Sequence, residues 1–194
     1  MISTVIPLGI AVPPFYFSSG PAYVNYGKLG RTIGHEIAHG FDSTGITYDA
    51  DGNLRDWLSP EDQRKFEENA KCFVEQYNQF EVLPGKRING SFTLDENIAD
   101  NLGLELAYRG YKRSVQDDGQ VEQPKKLFGL EKLSPKQLFF LSYAAVSNVR
   151  FTYLSFHKRL CSAIIIITYF VLSLNDCSPS VRHLLLQRHW KGCY

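Results

Sequence analysis

The chain has 194 residues, 44% of them hydrophobic and 21% charged, which suits a single domain with its own core and excludes a disordered tail. Its formal net charge is +1, from 21 basic and 20 acidic residues dispersed along the chain. Such a chain has no basic field to gather nucleic acid or an anionic membrane, so no nucleic-acid partner is expected.

Residues 1–5 lack a basic leader, a long apolar run and a small-residue cleavage site, so no signal peptide is read there. Residues 2–17 alternate β-branched and small residues with Pro7, Pro13 and Pro14, a pattern that predicts a short strand followed by an extended loop.

Residues 26–41 read as a helix in spite of Gly27, Gly30, Gly34 and Gly40. Each interior glycine costs about 1 kcal/mol against alanine, so packing must hold this helix, and close backbone approach is the expected return. Within it stands His35-Glu36-Ile37-Ala38-His39. Positions i and i+4 share a helix face, so both imidazoles can reach one metal ion with Glu36 beside it, the geometry of a zinc hydrolase. Chance places this pattern in a chain of this composition about 0.6% of the time. The alternative is a hydrogen-bonded histidine pair in an ordinary core helix. A catalytic zinc takes three protein ligands and keeps one position open, so a third ligand is sought downstream.

Asp49-Ala50-Asp51-Gly52-Asn53 invites a calcium-loop reading, but Leu54 and Pro60 stand where the loop needs its glycine and final glutamate, so a solvated turn is predicted. Ser59-Pro60-Glu61-Asp62 starts a helix, with a serine cap, proline in the first turn and acids after it. Phe66, Ala70, Phe73 and Tyr77 then follow at helical spacing and read as core. Asn89-Gly90-Ser91 is a glycosylation sequon, meaningful only if the chain is exported.

Residues 93–112 read as another helix. Glu96 and Asp100 are i and i+4 and face one way, while Ile98, Leu102 and Leu106 form an apolar row on a different face. Zinc needs one acid as a ligand and a metal-bound histidine needs one to hold its other ring nitrogen, so Glu96 is the predicted ligand and Asp100 the predicted orienting group. The competing reading of Glu96 is a capping box with Thr93. Residues 116–126 are polar and read as an exposed connection; Ser134-Pro135-Lys136-Gln137 then caps a helix expected to bury Leu138, Leu141 and Ala145.

His-Glu-Ile-Ala-His-Gly-Phe-Asp followed by Glu-Asn-Ile-Ala-Asp-Asn-Leu-Gly resembles the neprilysin and endothelin-converting-enzyme family of zinc metallopeptidases. The likeness runs from Ile6 to the Leu-Ser-Tyr-Ala-Ala stretch at 141–145. It implies one Zn2+ held by His35, His39 and Glu96, a catalytic Glu36, and Asp100 as the partner of the first histidine. It also implies peptide substrates and a plasma-membrane ectoenzyme or extracellular location, with an anchor and lid domain upstream in a longer form. A substrate-binding edge strand, which the family carries just before this point, is not in these residues. Cys72 would pair upstream in the family, whereas the four cysteines Cys72, Cys161, Cys177 and Cys193 leave three disulfide connectivities open.

The likeness ends after Ala145. Residues 146–194 include an apolar run at 163–174, shorter than the 18 or so residues of a bilayer span, so no membrane span is predicted within the chain. Asp176-Cys177-Ser178-Pro179 is similar to the family's Asp-x-His-Ser-Pro motif, but Cys177 replaces the histidine that donates to the oxyanion and Arg182 arrives one residue early. His183 and His189 are the remaining candidates for that donor. A further zinc site built from Cys177, His183, His189 and Cys193 fits no finger spacing well.

The resulting expectation is a mainly α fold with one or two short strands, a truncated thermolysin-like (gluzincin) catalytic subdomain over residues 1–145 with a divergent tail over 146–194. The expected activity is zinc-dependent hydrolysis of peptide bonds with Glu36 as general base. The alternatives are a catalytically impaired zinc-binding fragment, a non-catalytic interaction module, or a helical domain with accidental motifs.

Overall fold

A computed structural model describes residues 3–117 and 126–153, with side chains in the last helix as far as residue 146. In chain order come α1 (Ala22–Asn25), a π-helical stretch (Tyr26–Gly30), α2 (Arg31–Ala38), a 3-10 turn (His39–Phe41), α3 (Pro60–Tyr77), β1 (Glu81–Leu83), β2 (Lys86–Arg87), α4 (Leu94–Asp117) and α5 (Pro135–Tyr153). Among the described residues the fold is mainly α with one two-stranded antiparallel sheet, in which Glu81 pairs with Arg87 and Leu83 with Lys86.

The helix starts follow local chemistry. Ser59 accepts from the Asp62 N–H at 3.1 Å with Pro60 in the first turn, and Ser134 and Gln137 form a reciprocal box. At the start of α4 the predicted box does not form. The Thr93 N–H goes to the Asn89 carbonyl, the Phe92 N–H goes to Asn89 Oδ1, and Asn97 donates to Thr93 Oγ1, which leaves the Glu96 carboxylate free of capping duty. The 49–53 segment is the solvated turn expected, closed by mutual hydrogen bonds between Asp49 and Asn53 with Gly52 at φ 84°.

Helix α4 lies between two apolar clusters. On one side Leu104, Ala107 and Tyr111 pack with Tyr23, Val24 and the α5 residues Leu138, Phe139, Phe140 and Tyr143. On the other, Ile98 joins Phe73, Tyr77 and Ile88. The third face of α4 meets α2, in the most extensive contact between elements. That contact is a backbone approach: a Cβ on Gly34 would sit 2.5 Å from the Gly103 carbonyl oxygen, and one on Gly103 would sit 2.5 Å from the His35 nitrogen. The glycines of the metal-site helix thus supply the close approach that their number predicted.

Four local expectations are corrected. No strand forms in residues 3–17, which carry only the 3-10 turn Leu8–Ile10; three prolines remove backbone donors there and no neighbouring strand runs alongside. The helix predicted at 26–41 begins earlier, at Ala22, and passes through a π-helical stretch. The helix predicted to end at residue 112 runs to Asp117, so the first two residues of the supposed connection are helical, while 118–125 lie outside the described residues. Ala145, expected to be buried, is exposed. Cys161, Cys177 and Cys193, and with them the disulfide pairing, also lie outside the described residues, as do His183, His189 and the 163–174 run. Among the described residues, no helix is long and apolar enough to cross a membrane.

Candidate metal centre

Two ladders of i, i+4 residues face each other across the glycine contact. Helix α2 presents Arg31 and His35, followed by His39 at the first position of the 3-10 turn, and α4 presents Glu96 and Asp100. The ligand atoms of His35, His39 and Glu96 all lie within 4.8 Å of one another, so the three residues that the sequence singled out as ligands converge. His35 Nε2 stands 3.1 Å from His39 Nε2 and 3.6 Å from Glu96 Oε2.

Each imidazole has a carboxylate behind it. His35 Nδ1 lies 2.8 Å from Asp100 Oδ1, and His39 Nδ1 lies 2.6 Å from Asp42 Oδ2. A carboxylate at Nδ1 favours the tautomer with the proton on that nitrogen, which leaves both Nε2 atoms as lone-pair donors. Two such donors pointing at one another repel unless a cation or a shared proton lies between them. Ligands about 2.0–2.1 Å from a tetrahedral zinc stand about 3.3 Å apart, close to the separation found, so the donor set fits the ion.

The floor of the centre is dry and its rim is wet. His35, Asp42 and Asp100 are buried, whereas the Glu96 side chain is 63% exposed and Glu36 on α2 is exposed as well. Burial works against a charge on His39, but the hydrogen bond and field of Asp42, with smaller contributions from Glu96 and Glu36, outweigh it and raise the His39 pKa above its ordinary value. A metal must therefore displace a proton held more firmly than usual, and metal affinity falls as pH drops.

Sequence reasoning missed three residues of this neighbourhood. Asp42 stands three residues after His39, in the stretch that carried the resemblance, and its other oxygen accepts from the Thr44 and Gly45 N–H groups at 3.0 and 2.6 Å. Asp95 ties that same loop to α4, accepting from the Ser43 N–H at 3.1 Å and the Thr44 hydroxyl at 2.8 Å. Arg31, one turn before His35, is 6% exposed and ion-paired with Asp100. Its i, i+4 spacing to His35 was the available signal.

Asp100→Ala is expected to weaken zinc binding by about 10- to 100-fold through loss of ring orientation, and Asp42→Ala by a similar factor at the other ring. Competition against a chromophoric chelator measures both, and an unchanged affinity would return that acid to a purely structural role.

The family model described as Peptidase family M13 matches residues 1–156. Endothelin-converting enzyme 1 of Bos taurus is 46% identical over 142 residues, 73% of this chain and 18% of that protein. Neprilysin of Homo sapiens is 44% identical over 144 residues, covering 73% of this chain and 19% of the relative, and Neprilysin-11 of Caenorhabditis elegans is 45% identical over 139 residues, 71% and 16%. Among solved structures, the Haemonchus galactose-containing glycoprotein complex aligns at TM-score 0.73 and 32% identity over 90% of this chain and 28% of the other. The open-state Mycobacterium tuberculosis zinc metalloprotease ZMP1 aligns at 0.67 and 30% over 89% and 28%. The chain thus spans less than a fifth of the length of these curated relatives. With a family match over most of its length and a mainly helical fold shared with solved zinc metalloproteases, the chain belongs to peptidase family M13.

Proposed function

We propose that His35, His39 and Glu96 hold one Zn2+ and that Glu36 is the general base for hydrolysis of peptide bonds in oligopeptides. The observation that carries this reading is the pair of Nε2 atoms 3.1 Å apart, each ring backed at Nδ1 by its own carboxylate. Bound there, zinc supplies Lewis acidity to a water and to a peptide carbonyl.

The chain's own groups do the rest. Asp100 and Asp42 keep the two rings turned toward a common point. Glu36, exposed on the turn between the two histidines, takes a proton from the attacking water and returns it to the leaving amine. Glu96, two-thirds exposed, completes the ligand set from the opposite helix without closing the rim to a peptide. An ectoenzyme or extracellular location, and an upstream anchor and lid in a longer form, belong to the same proposal and rest on the family alone.

Native purification of the full chain followed by metal analysis and an assay with a quenched fluorogenic peptide tests it. One zinc per chain and cleavage abolished by a chelator are expected. Zinc without cleavage assigns the chain to the catalytically impaired alternative, and no zinc uptake at micromolar concentration sinks the metal reading.

A further inference from the structure

We infer that Arg31 is a positioning residue of the metal centre, acting on His35 through the Asp100 oxygen that both of them contact. The inference rests on the proposed zinc reading and adds a group to it. Arg31 Nη2 donates to Asp100 Oδ1, and the same Oδ1 lies 2.8 Å from His35 Nδ1. One buried carboxylate oxygen is therefore shared between a permanent cation and the ring that presents its other nitrogen to the metal.

The placement is costly, which is the first reason to look for a role. The Arg31 and Asp100 side chains are 7% and 9% exposed, and taking two charges out of water carries a desolvation cost that their attraction must offset. A packing position between α2, α4 and α5 is ordinarily filled by an apolar side chain, which a helix takes without that cost. Helix contact alone does not call for a guanidinium here.

The second reason is how the guanidinium is held. It also hydrogen-bonds Tyr143 of α5, whose ring centroid lies 5.1 Å from the guanidinium carbon and which is 1% exposed. Burial first, then the field of Asp100, raises the Tyr143 pKa far above the usual phenol range, so the ring stays neutral and serves as an acceptor and a flat platform. The Arg31 guanidinium is a planar fork that meets both Asp100 of α4 and Tyr143 of α5, a pairing that lysine's single ammonium does not reproduce. With Tyr143 fixed in the core, Arg31 is fixed, and Asp100 cannot turn from His35 without abandoning its counter-charge.

The consequence is a chain of control from core to ligand: Tyr143 sets Arg31, Arg31 sets Asp100, Asp100 sets the His35 ring. Arg31 also offsets the charge of Asp100, so the acid can back the imidazole in a dry site. The contrasting role is a helix clamp that stabilises the fold and leaves the metal ligands indifferent.

The test uses the full chain with Zn2+ and Co2+ as probes, measuring zinc affinity by chelator competition and ligand geometry by the visible spectrum of the cobalt form, with thermal melting as a folding check. Arg31→Met is expected to weaken zinc about tenfold, within the range for loss of a group behind a ligand, and to shift the cobalt bands. In an Asp100→Ala background the same change is expected to alter zinc affinity less than about twofold, because the path runs through Asp100. That double variant replaces a buried pair by apolar groups and should fold. Wild-type affinity and spectrum in Arg31→Met, or losses that multiply independently in the double variant, would overturn the inference and leave the clamp. If Arg31→Met does not fold, Arg31→Lys decides: it keeps the charge and loses the fork, so zinc about threefold weaker with shifted cobalt bands supports the role, and wild-type values refute it. A wild-type chain that binds no zinc would instead refute the metal reading itself.

Discussion

Glu36→Gln is expected to leave one zinc bound per chain and to lower peptide hydrolysis by about 10²- to 10⁴-fold, the usual contribution of a positioned general base. Glutamine has the same length and shape but cannot take a proton from water at neutral pH. The three predicted ligands and their two backing carboxylates are other residues, so metal content serves as the internal control. Because Glu36 is exposed, the substitution is expected to change stability by less than about 0.5 kcal/mol. The measurement is turnover of a quenched peptide by both chains at equal zinc occupancy, and equal rates would remove Glu36 from the mechanism.

Gly103→Ala is expected to destabilise the fold by about 1–3 kcal/mol and to weaken zinc by more than about tenfold. Two effects compete. Alanine in mid-helix is favoured over glycine by about 1 kcal/mol, so on an open helix the change would stabilise. Here the added Cβ would lie 2.5 Å from the His35 nitrogen and 2.7 Å from its Cα, both backbone atoms with no soft rotamer to yield. The overlap wins, and α2 and α4 move apart. The metal centre spans that contact, with His35 and His39 on one side and Glu96 and Asp100 on the other, so separation pulls the donor set open. Gly9→Ala is the control, since its Cβ meets nothing within 4 Å. Urea melts and chelator competition read both, and a Gly103→Ala chain with zinc affinity within about twofold of wild type would show that the helices tolerate the shift.

Much of the candidate centre was legible in the chain because its spacings are helical. His35 and His39, and Glu96 and Asp100, are each four apart, and any α-helix puts such pairs on one face whatever surrounds it. The caps at Ser59 and Ser134 were legible for the same reason, as each is closed by a residue three positions on. The glycines announced a close approach without naming its partner, which is Gly103, far along the chain.

What depended on packing was not legible. Helical period identifies a face but not what covers it, so Ala145 reads as buried when α5 turns it to solvent. An extended segment becomes a strand only beside another strand, and residues 3–17 have none. Glu96 had two local fates, cap or ligand, of equal standing in sequence; the Asn89 carbonyl took the Thr93 N–H and left the carboxylate to face His35. Asp42 reaches His39 because the chain turns out of the helix into extended backbone at that residue, and Arg31 meets Asp100 across 69 positions. By itself the sequence determined the family and which side chains share a helix face, since both follow from residue identity and a fixed rise per turn. The tertiary structure decided which carboxylate backs which ring and which cation backs the carboxylate, because those pairings depend on how closely two helices approach, a distance that two glycines set.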